Sequence, residues 1–190
     1  MFERVANTCF DWGVEAVTFY AFSTENWKRP PAEVKTIMSL LSFYIDKCGD
    51  DLIKRGVRFR MLGDKSALDA VLRKRIDSIE QRSKNFNKTL NVAINYGGRD
   101  EIIHACRLLA QSGEEINSES FSRALYTEDC IDPDLVIRTA GEKRLSNFLL
   151  WQASYAELYF TDVLWPDFSD DDLKNAINDF YSRRRRYGGL

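Results

Sequence analysis

Apolar side chains recur along this chain in two alternating patterns, one of helical spacing and one of extended spacing. Residues 2–12 keep their apolar side chains on one helical face, and Gly13 then ends the helix. Residues 14–21 are dense in β-branched and aromatic residues, which is typical of a buried strand. The same patterns predict further strands at 57–62, 89–94, 135–137 and 156–160, and further helices at 30–48, 67–83, 100–109, 118–125 and after a capping box at 169–172.

Strands that alternate with helices in this way predict an α/β fold that forms a single domain over residues 1–190. The expected architecture is a largely parallel central sheet that is flanked by helices on both faces. The chain shows no internal repeat, linker or low-complexity segment that would divide it, and its length suits one core. In sheets of this kind, ligands bind beyond the carboxyl ends of the strands.

The long predicted helix at 30–48 is apolar over an unusually wide arc. A main stripe is joined by a second one that consists of Leu40, Phe43 and Tyr44. A helix with so wide an apolar surface buries more than one face. The pattern alone favours a second layer of core, and the alternative is a lining for an apolar ligand.

Composition and charge exclude several classes of protein. Hydrophobic residues make up 44% of the chain and charged residues 29%, as in ordinary soluble domains. The net charge of -2 provides no basic excess for a nucleic-acid partner, and no apolar run reaches membrane-spanning length or forms a signal peptide. The scattered cysteines include no CxxC pair, which predicts reduced thiols in a cytoplasmic protein without a zinc site. These residues are Cys9, Cys48, Cys106 and Cys130, and the single histidine, His104, is expected to have a structural role.

Distinctive polar residues follow three of the predicted strands. They lie in the segments Ser23–Arg29, Asn95–Arg99 and Arg138–Ser146. Because the carboxyl ends of parallel strands meet at one edge of a sheet, we expect the three segments to converge. Their arginines offer fork-shaped donors that suit phosphate oxygens, and their serines add hydroxyl groups.

A metal ion fits the same chemistry. Glu157 or Glu142 could hold a hard cation such as Mg²⁺, which needs only one or two protein carboxylates when phosphates fill the other positions. Gly97 and Gly98 permit a close approach to the backbone. No Walker sequence and no GxGxxG is present, so a nucleotide cradle is not expected. These residues alone predict a phosphorylated or diphosphorylated ligand with a divalent metal, and the alternative is that the charged turns are ordinary solvated loops.

Four blocks of sequence carry a resemblance that goes further. They are TFYAFSTENWKRP at 18–30, NVAINYGGRDEI at 91–102, DLVIRTAGEKRLSNFLLWQASYAELYFTDVLWPDF at 134–168 and RRRRYGG at 183–189. In these blocks and in their order, the chain resembles the cis-prenyltransferase family, the undecaprenyl diphosphate synthases or isoprenyl transferases. The resemblance implies that isopentenyl diphosphate condenses, with Mg²⁺, onto an allylic diphosphate such as farnesyl diphosphate. The implied product is a long-chain polyprenyl diphosphate such as undecaprenyl diphosphate, the lipid carrier for cell-wall sugars.

The resemblance also implies roles for individual residues. Asn26 matches an asparagine that assists proton removal, and Glu157 matches the metal ligand. Arg138, Arg144 and Ser146 match the phosphate site for isopentenyl diphosphate. The full set of implied substrate-binding residues is Ser23, Thr24, Glu25, Trp27, Arg29, Arg138, Arg144, Leu145 and Ser146.

Further implications concern the product and the assembly. The helix at 30–48 becomes one wall of a hydrophobic product tunnel, which reverses the preference for core. The family resemblance implies a homodimer and a peripheral contact between the product and the membrane. Arg186-Tyr187-Gly188 resembles an RxG element that completes the partner subunit's site, and the alternative is a basic helix end stabilised by the helix dipole.

One family motif has no counterpart in this sequence. The family's first strand ends in a DGNGRW-like loop, whose aspartate coordinates Mg²⁺. We therefore expect an N-terminally truncated domain that lacks the first family strand. Neighbouring strand edges should then be exposed, and these 190 residues by themselves should carry out little prenyl transfer. The alternative is a non-catalytic partner that binds isopentenyl diphosphate or dimerises.

Overall fold

The computed structural model describes residues 1–183 of the chain. Short 3-10 turns at Thr24–Lys28, Lys65–Ala67 and Trp165–Asp167 connect its longer elements. The helices are α1 (Phe2–Asp11), α2 (Pro31–Lys54), α3 (Ala70–Ser83), α4 (Gly98–Ser112), α5 (Ser118–Arg123) and α6 (Asp170–Ser182). The strands are β1 (Ala16–Ser23), β2 (Val57–Leu62), β3 (Lys88–Tyr96), β4 (Leu135–Arg138) and β5 (Glu157–Phe160).

The predicted α/β class with parallel strands and flanking helices is confirmed, and the strands divide between two sheets. β1, β3 and β2 form one sheet in that order, and β4 pairs with β5 in a second. Every pairing is parallel. In the described part of the chain, β1 and the β4–β5 pair share no ladder, and they meet through side chains such as those of Val17, Phe19 and Ile137.

Apolar side chains cover the three-stranded sheet on both faces, because adjacent strand residues point in opposite directions. Met61 and Ile94 face a core cluster that includes side chains of α1, α2 and α3. Their neighbours Leu62 and Ala93 face a different cluster, which lies beneath the 145–156 segment. The sheet therefore has its core on both sides, as the near-continuous apolar strands predict.

Side chains of α3 cover the outer edge of β2. Glu80 Oε1 accepts a hydrogen bond from the backbone N–H of Met61 at 2.8 Å, and Ser83 Oγ accepts one from Phe59 N–H at 2.9 Å. These bonds satisfy donors that a neighbouring strand would otherwise take. Asp69 accepts from the N–H groups of Val71 and Leu72, which explains why α3 begins after the predicted boundary.

The two apolar stripes of α2 have different surroundings. Val34 and Ile45 of the main stripe are buried in the core. In the second stripe, Leu40, Phe43 and Tyr44 are 51%, 58% and 46% exposed. The second stripe is therefore not a further layer of core within the described residues.

Further predictions concern membrane-spanning helices, the cysteines, the histidine and the C-terminal element. None of the helices in residues 1–183 is both long and apolar enough to cross a membrane. All four cysteines are free thiols, and His104 stacks on Tyr126 with 4.6 Å between the ring centres. The predicted Arg186-Tyr187-Gly188 element lies outside the described residues.

Candidate functional site

Three polar segments meet beyond the carboxyl ends of β1, β3 and β4, and together they are called the polar rim: residues 23–29, 95–100 and 138–147. The Thr24 hydroxyl donates to Asp100 Oδ2 at 2.8 Å. The side chain of Asn147 donates to Glu25 Oε1 at 2.9 Å and accepts from the backbone N–H of Arg99 at 2.8 Å. Hydrogen bonds therefore join all three segments, which is the convergence that the strand pattern predicts.

The first segment turns sharply because a reciprocal cap ends β1. The side chain of Asn26 accepts from the backbone N–H of Ser23 at 2.9 Å, and the Ser23 side chain accepts in return from the Asn26 backbone. This capping box starts the 3-10 turn at Thr24–Lys28 and fixes the orientation of the Asn26 carboxamide.

Trp27 is held by a residue of β3. Its indole N–H donates to Asn95 Oδ1 at 2.7 Å, and Asn95 Nδ2 donates to the carbonyl of Asp64 at 2.8 Å. Asn95 adopts a left-handed backbone with φ +50°, which asparagine tolerates better than most residues. Phe22 meets the indole edge-on, so Trp27 is oriented although it is 40% exposed.

Gly97 and Gly98 provide space for other parts of the protein. A Cβ at Gly97 would lie 2.6 Å from Asn147 Nδ2 and 2.7 Å from Thr24 Oγ1. A Cβ at Gly98 would lie 2.7 Å from Leu150 Cγ. The sequence suggested that a ligand approaches the backbone here, whereas the space is taken by side chains of the rim and of the segment after it.

Arg138 ends β4 with a polar atom that has no partner. Its Nε is buried and makes no hydrogen bond within the described residues. Burial, followed by the charge of Glu25, raises the pKa of Tyr20 to about 12, while a hydrogen bond with Ser23 and the charge of Arg138 act in the opposite direction. The Tyr20 hydroxyl therefore lies within the electrostatic range of both Arg138 and the first segment of the rim.

The turn after β4 is held by the chain that follows β5. The backbone N–H of Ala140 donates to Val163 O and that of Gly141 donates to Thr161 O, each at 2.9 Å. Ser146 then adopts a left-handed backbone with φ +50°. Arg144, which is exposed, pairs with Glu142, whereas Leu145 packs against the apolar cluster below.

Two of the predicted site residues, Glu157 and Arg29, are already paired with other charged side chains, and Glu157 also lies far from Arg138. The register sets Glu157 opposite Leu135 and Phe160 opposite Arg138, so Glu157 lies at the other end of the β4–β5 pair. Three residues of strand correspond to about 10 Å. The Glu157 carboxylate accepts from Arg183 Nη1 at 2.7 Å, and Arg29 pairs with Glu33 at 2.5 Å on the first turn of α2.

The donors present do not make a preformed metal cage. Within residues 1–183, no three histidine, cysteine or carboxylate groups are placed to hold a metal ion. The carboxylates of Glu142 and Glu157 are each paired with an arginine. Burial alone would raise the pKa of Glu25, but hydrogen bonds from its own backbone N–H and from the side chains of Asn147, Ser23 and Thr24 outweigh burial and lower this pKa. A cation here would need phosphate oxygens to complete its coordination.

A buried carboxylate that the sequence analysis did not single out supports the rim from below. Glu101, at 0% exposure, accepts from the Tyr96 hydroxyl at 2.6 Å and from Gln152 Nε2 at 3.0 Å. It also accepts from the backbone N–H of Tyr126 at 2.9 Å. Donors from three separate parts of the chain therefore bind to one carboxylate. No local pattern marks this role, because Glu101 is in the first turn of α4, where exposed carboxylates are common.

Comparison with known protein sequences identifies close relatives. A family model described as undecaprenyl diphosphate synthase matches residues 1–188. An isoprenyl transferase of Fusobacterium nucleatum is 49% identical over 180 residues, which cover 94% of this chain and 78% of the relative. The Escherichia coli K12 relative is named ditrans,polycis-undecaprenyl-diphosphate synthase, (2E,6E)-farnesyl-diphosphate specific. It is 46% identical over 185 residues, which cover 93% of this chain and 73% of the relative.

Solved structures agree with the sequence relatives. A probable undecaprenyl diphosphate synthase from Campylobacter jejuni matches with a TM-score of 0.90 and 38% identity, over 99% of this chain and 90% of that one. Lavandulyl diphosphate synthase from Lavandula x intermedia, solved in complex with dimethylallyl diphosphate, matches with a TM-score of 0.94 and 32% identity. The second match covers 99% of this chain and 85% of the other.

Proposed function

Since the chain belongs to the undecaprenyl diphosphate synthase family of prenyltransferases, we propose that it acts in cis-prenyl chain elongation. In this reaction the allylic C–O bond breaks and diphosphate leaves with the electron pair. The double bond of isopentenyl diphosphate forms the new C–C bond, and a proton is then lost. The E. coli relative is named for farnesyl diphosphate, and the lavender neighbour was solved in complex with dimethylallyl diphosphate, which supports an allylic diphosphate as the prenyl donor.

The observation that carries the proposal is the unpartnered Nε of Arg138. A buried donor on a cation is costly unless an acceptor satisfies it, and a phosphate oxygen is a suitable acceptor. Arg144 and Ser146, on the turn that follows β4, would provide further donors to the same anion. Charge grows on the diphosphate as the C–O bond breaks, so guanidinium groups stabilise the transition state more than the bound substrate.

The first segment of the rim would contact substrate beside this anion site. Ser23, Thr24 and Glu25 lie within one turn of Asn26, and the capping box holds the Asn26 carboxamide at the end of β1. We assign to Asn26 the assistance of proton removal, and to Trp27 and Arg29 contacts with the substrate. These assignments rest on the sequence resemblance, and the capping geometry supports them.

Mg²⁺ is the proposed cofactor, and the sequence resemblance assigns Glu157 as its protein ligand, with substrate phosphates supplying the other oxygens. The strand register does not support this assignment, because it places Glu157 about 10 Å along the strands from Arg138. When bound, the cation would neutralise charge on the diphosphate. Glu157 would first have to exchange its bond with Arg183 Nη1 for the metal. Arg183 therefore competes with the cation for this carboxylate.

The second stripe of α2 is the proposed contact for the growing hydrocarbon. Leu40, Phe43 and Tyr44 lie exposed along one side of the helix, and Phe43 and Tyr44 meet edge to face. Each CH₂ that leaves water contributes about 0.8 kcal/mol, which suits an isoprenoid chain. A homodimer in the cytoplasm and a peripheral membrane contact of the product complete the proposal on the basis of the family resemblance.

Calorimetric titration with isopentenyl diphosphate tests the anion site. Arg138→Ala should weaken binding by about 10- to 100-fold, because a charge-assisted hydrogen bond contributes roughly 1.5–3 kcal/mol. Arg107→Ala removes the same charge from an exposed position on α4 and should leave the affinity within about 2-fold. Equal affinity of wild type and Arg138→Ala would contradict the proposed site.

An assay of transfer separates the two functions that the sequence left open. The chain is incubated with farnesyl diphosphate, labelled isopentenyl diphosphate and Mg²⁺, and the labelled product is extracted and sized. Long-chain product would identify these 190 residues as a working synthase and would refute the expectation of little transfer. Retained binding without product would favour the non-catalytic alternative.

A further inference from the structure

Asn147 contacts both of the other segments of the polar rim. Its carbonyl oxygen accepts from the backbone N–H of Gly98 at 2.7 Å, and its Oδ1 accepts from Arg99 N–H at 2.8 Å. Its Nδ2 donates to Glu25 Oε1 at 2.9 Å. Its partners at Arg99 and Glu25 lie 48 and 122 residues away along the chain. No function was predicted for Asn147 from the sequence.

The two accepting groups cap α4 from outside the helix. The first N–H groups of a helix have no partner within it, and the residue at the N-cap normally supplies one from its side chain. Gly97 occupies the N-cap of α4 and has no side chain to offer. Asn147 takes over this role, although it lies 48 residues beyond Arg99 along the chain. Its left-handed backbone, with φ +65°, is one that asparagine adopts more readily than most residues.

The Nδ2 group of Asn147 does not contribute to this cap, because it donates to Glu25 in the first segment of the rim. Glu25 lies on the exposed 3-10 turn that carries Asn26 and Trp27. Two other hydrogen bonds, from Thr24 to Asp100 and from Trp27 to Asn95, join this turn to the 95–100 segment, and the bond from Asn147 joins it to the 138–147 segment. The space that Asn147 occupies exists only because residue 97 has no Cβ.

We propose that Asn147 is a positioning residue, which holds the Ser23–Lys28 segment at a set distance from the phosphate-binding turn at 138–146. The inference rests on the proposed function, since it concerns groups assigned there to one substrate. Ser146 immediately precedes Asn147, so any shift of Asn147 relative to Glu25 also shifts that hydroxyl. The bond to Glu25 is therefore the link that matters for binding, and the bonds to α4 hold Asn147 in place.

Asn147→Asp distinguishes the cap of α4 from the link to Glu25. Aspartate keeps an oxygen for the N–H of Arg99 and is a good partner for a helix N-terminus. It loses the donor to Glu25 and brings a second carboxylate against it. A residue that only caps α4 would tolerate this change. A positioning residue would not, and we expect isopentenyl diphosphate to bind about 10-fold or more weakly to Asn147→Asp.

Glu25→Gln supplies the rescue. In the double variant, a glutamine amide at position 25 can donate to the aspartate at position 147, which restores the link with its polarity reversed. The double variant should therefore bind within about 3-fold of Glu25→Gln alone. Asn117→Asp is the matched control. It makes the same change at the N-cap of α5, where Asn117 accepts from the N–H groups of Glu119 and Ser120, and it should leave the affinity unchanged.

Calorimetry with isopentenyl diphosphate on the full chain, together with hydrogen exchange of the Arg99 amide, provides the measurements. Weakened binding of Asn147→Asp, rescue by Glu25→Gln and an amide that stays protected would support the proposal. Wild-type affinity in Asn147→Asp, or failure of the rescue, would overturn it while the proposed function stands. If the wild-type chain itself binds no isopentenyl diphosphate, the proposed function fails first. In that case the positioning role is refuted with it.

Discussion

Glu101 should be one of the most sensitive positions for the stability of this chain. Its carboxylate is fully buried and accepts hydrogen bonds from Tyr96, Tyr126 and Gln152. Glu101→Ala leaves these three donors without their acceptor inside the protein. A buried donor without a partner costs about 1–3 kcal/mol. Three of them, less the cost of burying the charge that the substitution removes, predict a loss of about 3–5 kcal/mol.

Glu101→Gln gives an intermediate result from the same geometry. A glutamine oxygen in the place of Oε2 still accepts from Tyr96 and Gln152. The glutamine NH₂ group then faces the backbone N–H of Tyr126, so that one acceptor is lost and two donors oppose each other. We expect a loss of about 1–3 kcal/mol for this variant. The ranking wild type, Glu101→Gln, Glu101→Ala is the signature of the three-donor network.

Urea denaturation, followed by circular dichroism, measures these free energies of unfolding. The matched control is Glu119→Ala, which removes an exposed carboxylate that pairs with Arg123 at 2.9 Å. That surface pair should contribute only about 0.5 kcal/mol. If Glu101→Ala unfolds within 1 kcal/mol of wild type, on the order of one lost surface contact, the network has been given too much weight.

Two further predictions follow from glycine packing and from the buried tyrosines. Gly97→Ala should destabilise the chain in urea, because its Cβ would lie 2.6 Å from Asn147 Nδ2 and from Asp100 Oδ2. In Gly113→Ala the Cβ meets nothing within 4 Å and the cost is that of the left-handed backbone alone, φ +71°, about 1–2 kcal/mol. We expect the larger loss at Gly97, and a smaller loss there than at Gly113 would mean that the rim simply moves aside. Burial raises the pKa of Tyr20 and Tyr126 from 10.0 to about 12, so the folded state holds these protons more tightly than the unfolded chain. Their stabilising contribution is complete below pH 10 and is lost as the pH rises towards 12, and unfolding free energies measured from pH 9 to 12 should fall over this window; flat values would contradict the burial of these hydroxyls.

Local sequence patterns were sufficient to predict the helices and strands of this fold. Period and residue type placed β2 at its observed boundaries and located β3 to within two residues, whereas α2 continues to Lys54, six residues beyond its predicted end. The capping box at Ser169 and Asp172 also forms as predicted. These features depend on neighbours within one turn or one strand, which the sequence lists side by side. The convergence of polar segments followed in turn from the rule that parallel strands end at the same edge.

The sequence by itself also determined the family, because long ordered blocks are not shared by chance, and it determined which strand ends would carry the polar groups. Only the tertiary structure decided that Glu157 bonds to Arg183, that Glu101 is buried and that Asn147 caps α4. Each of these contacts joins residues brought together by the register of strands or by the packing of a turn against a distant helix. Such contacts depend on the relative placement of segments in space, and neither period nor composition encodes that placement.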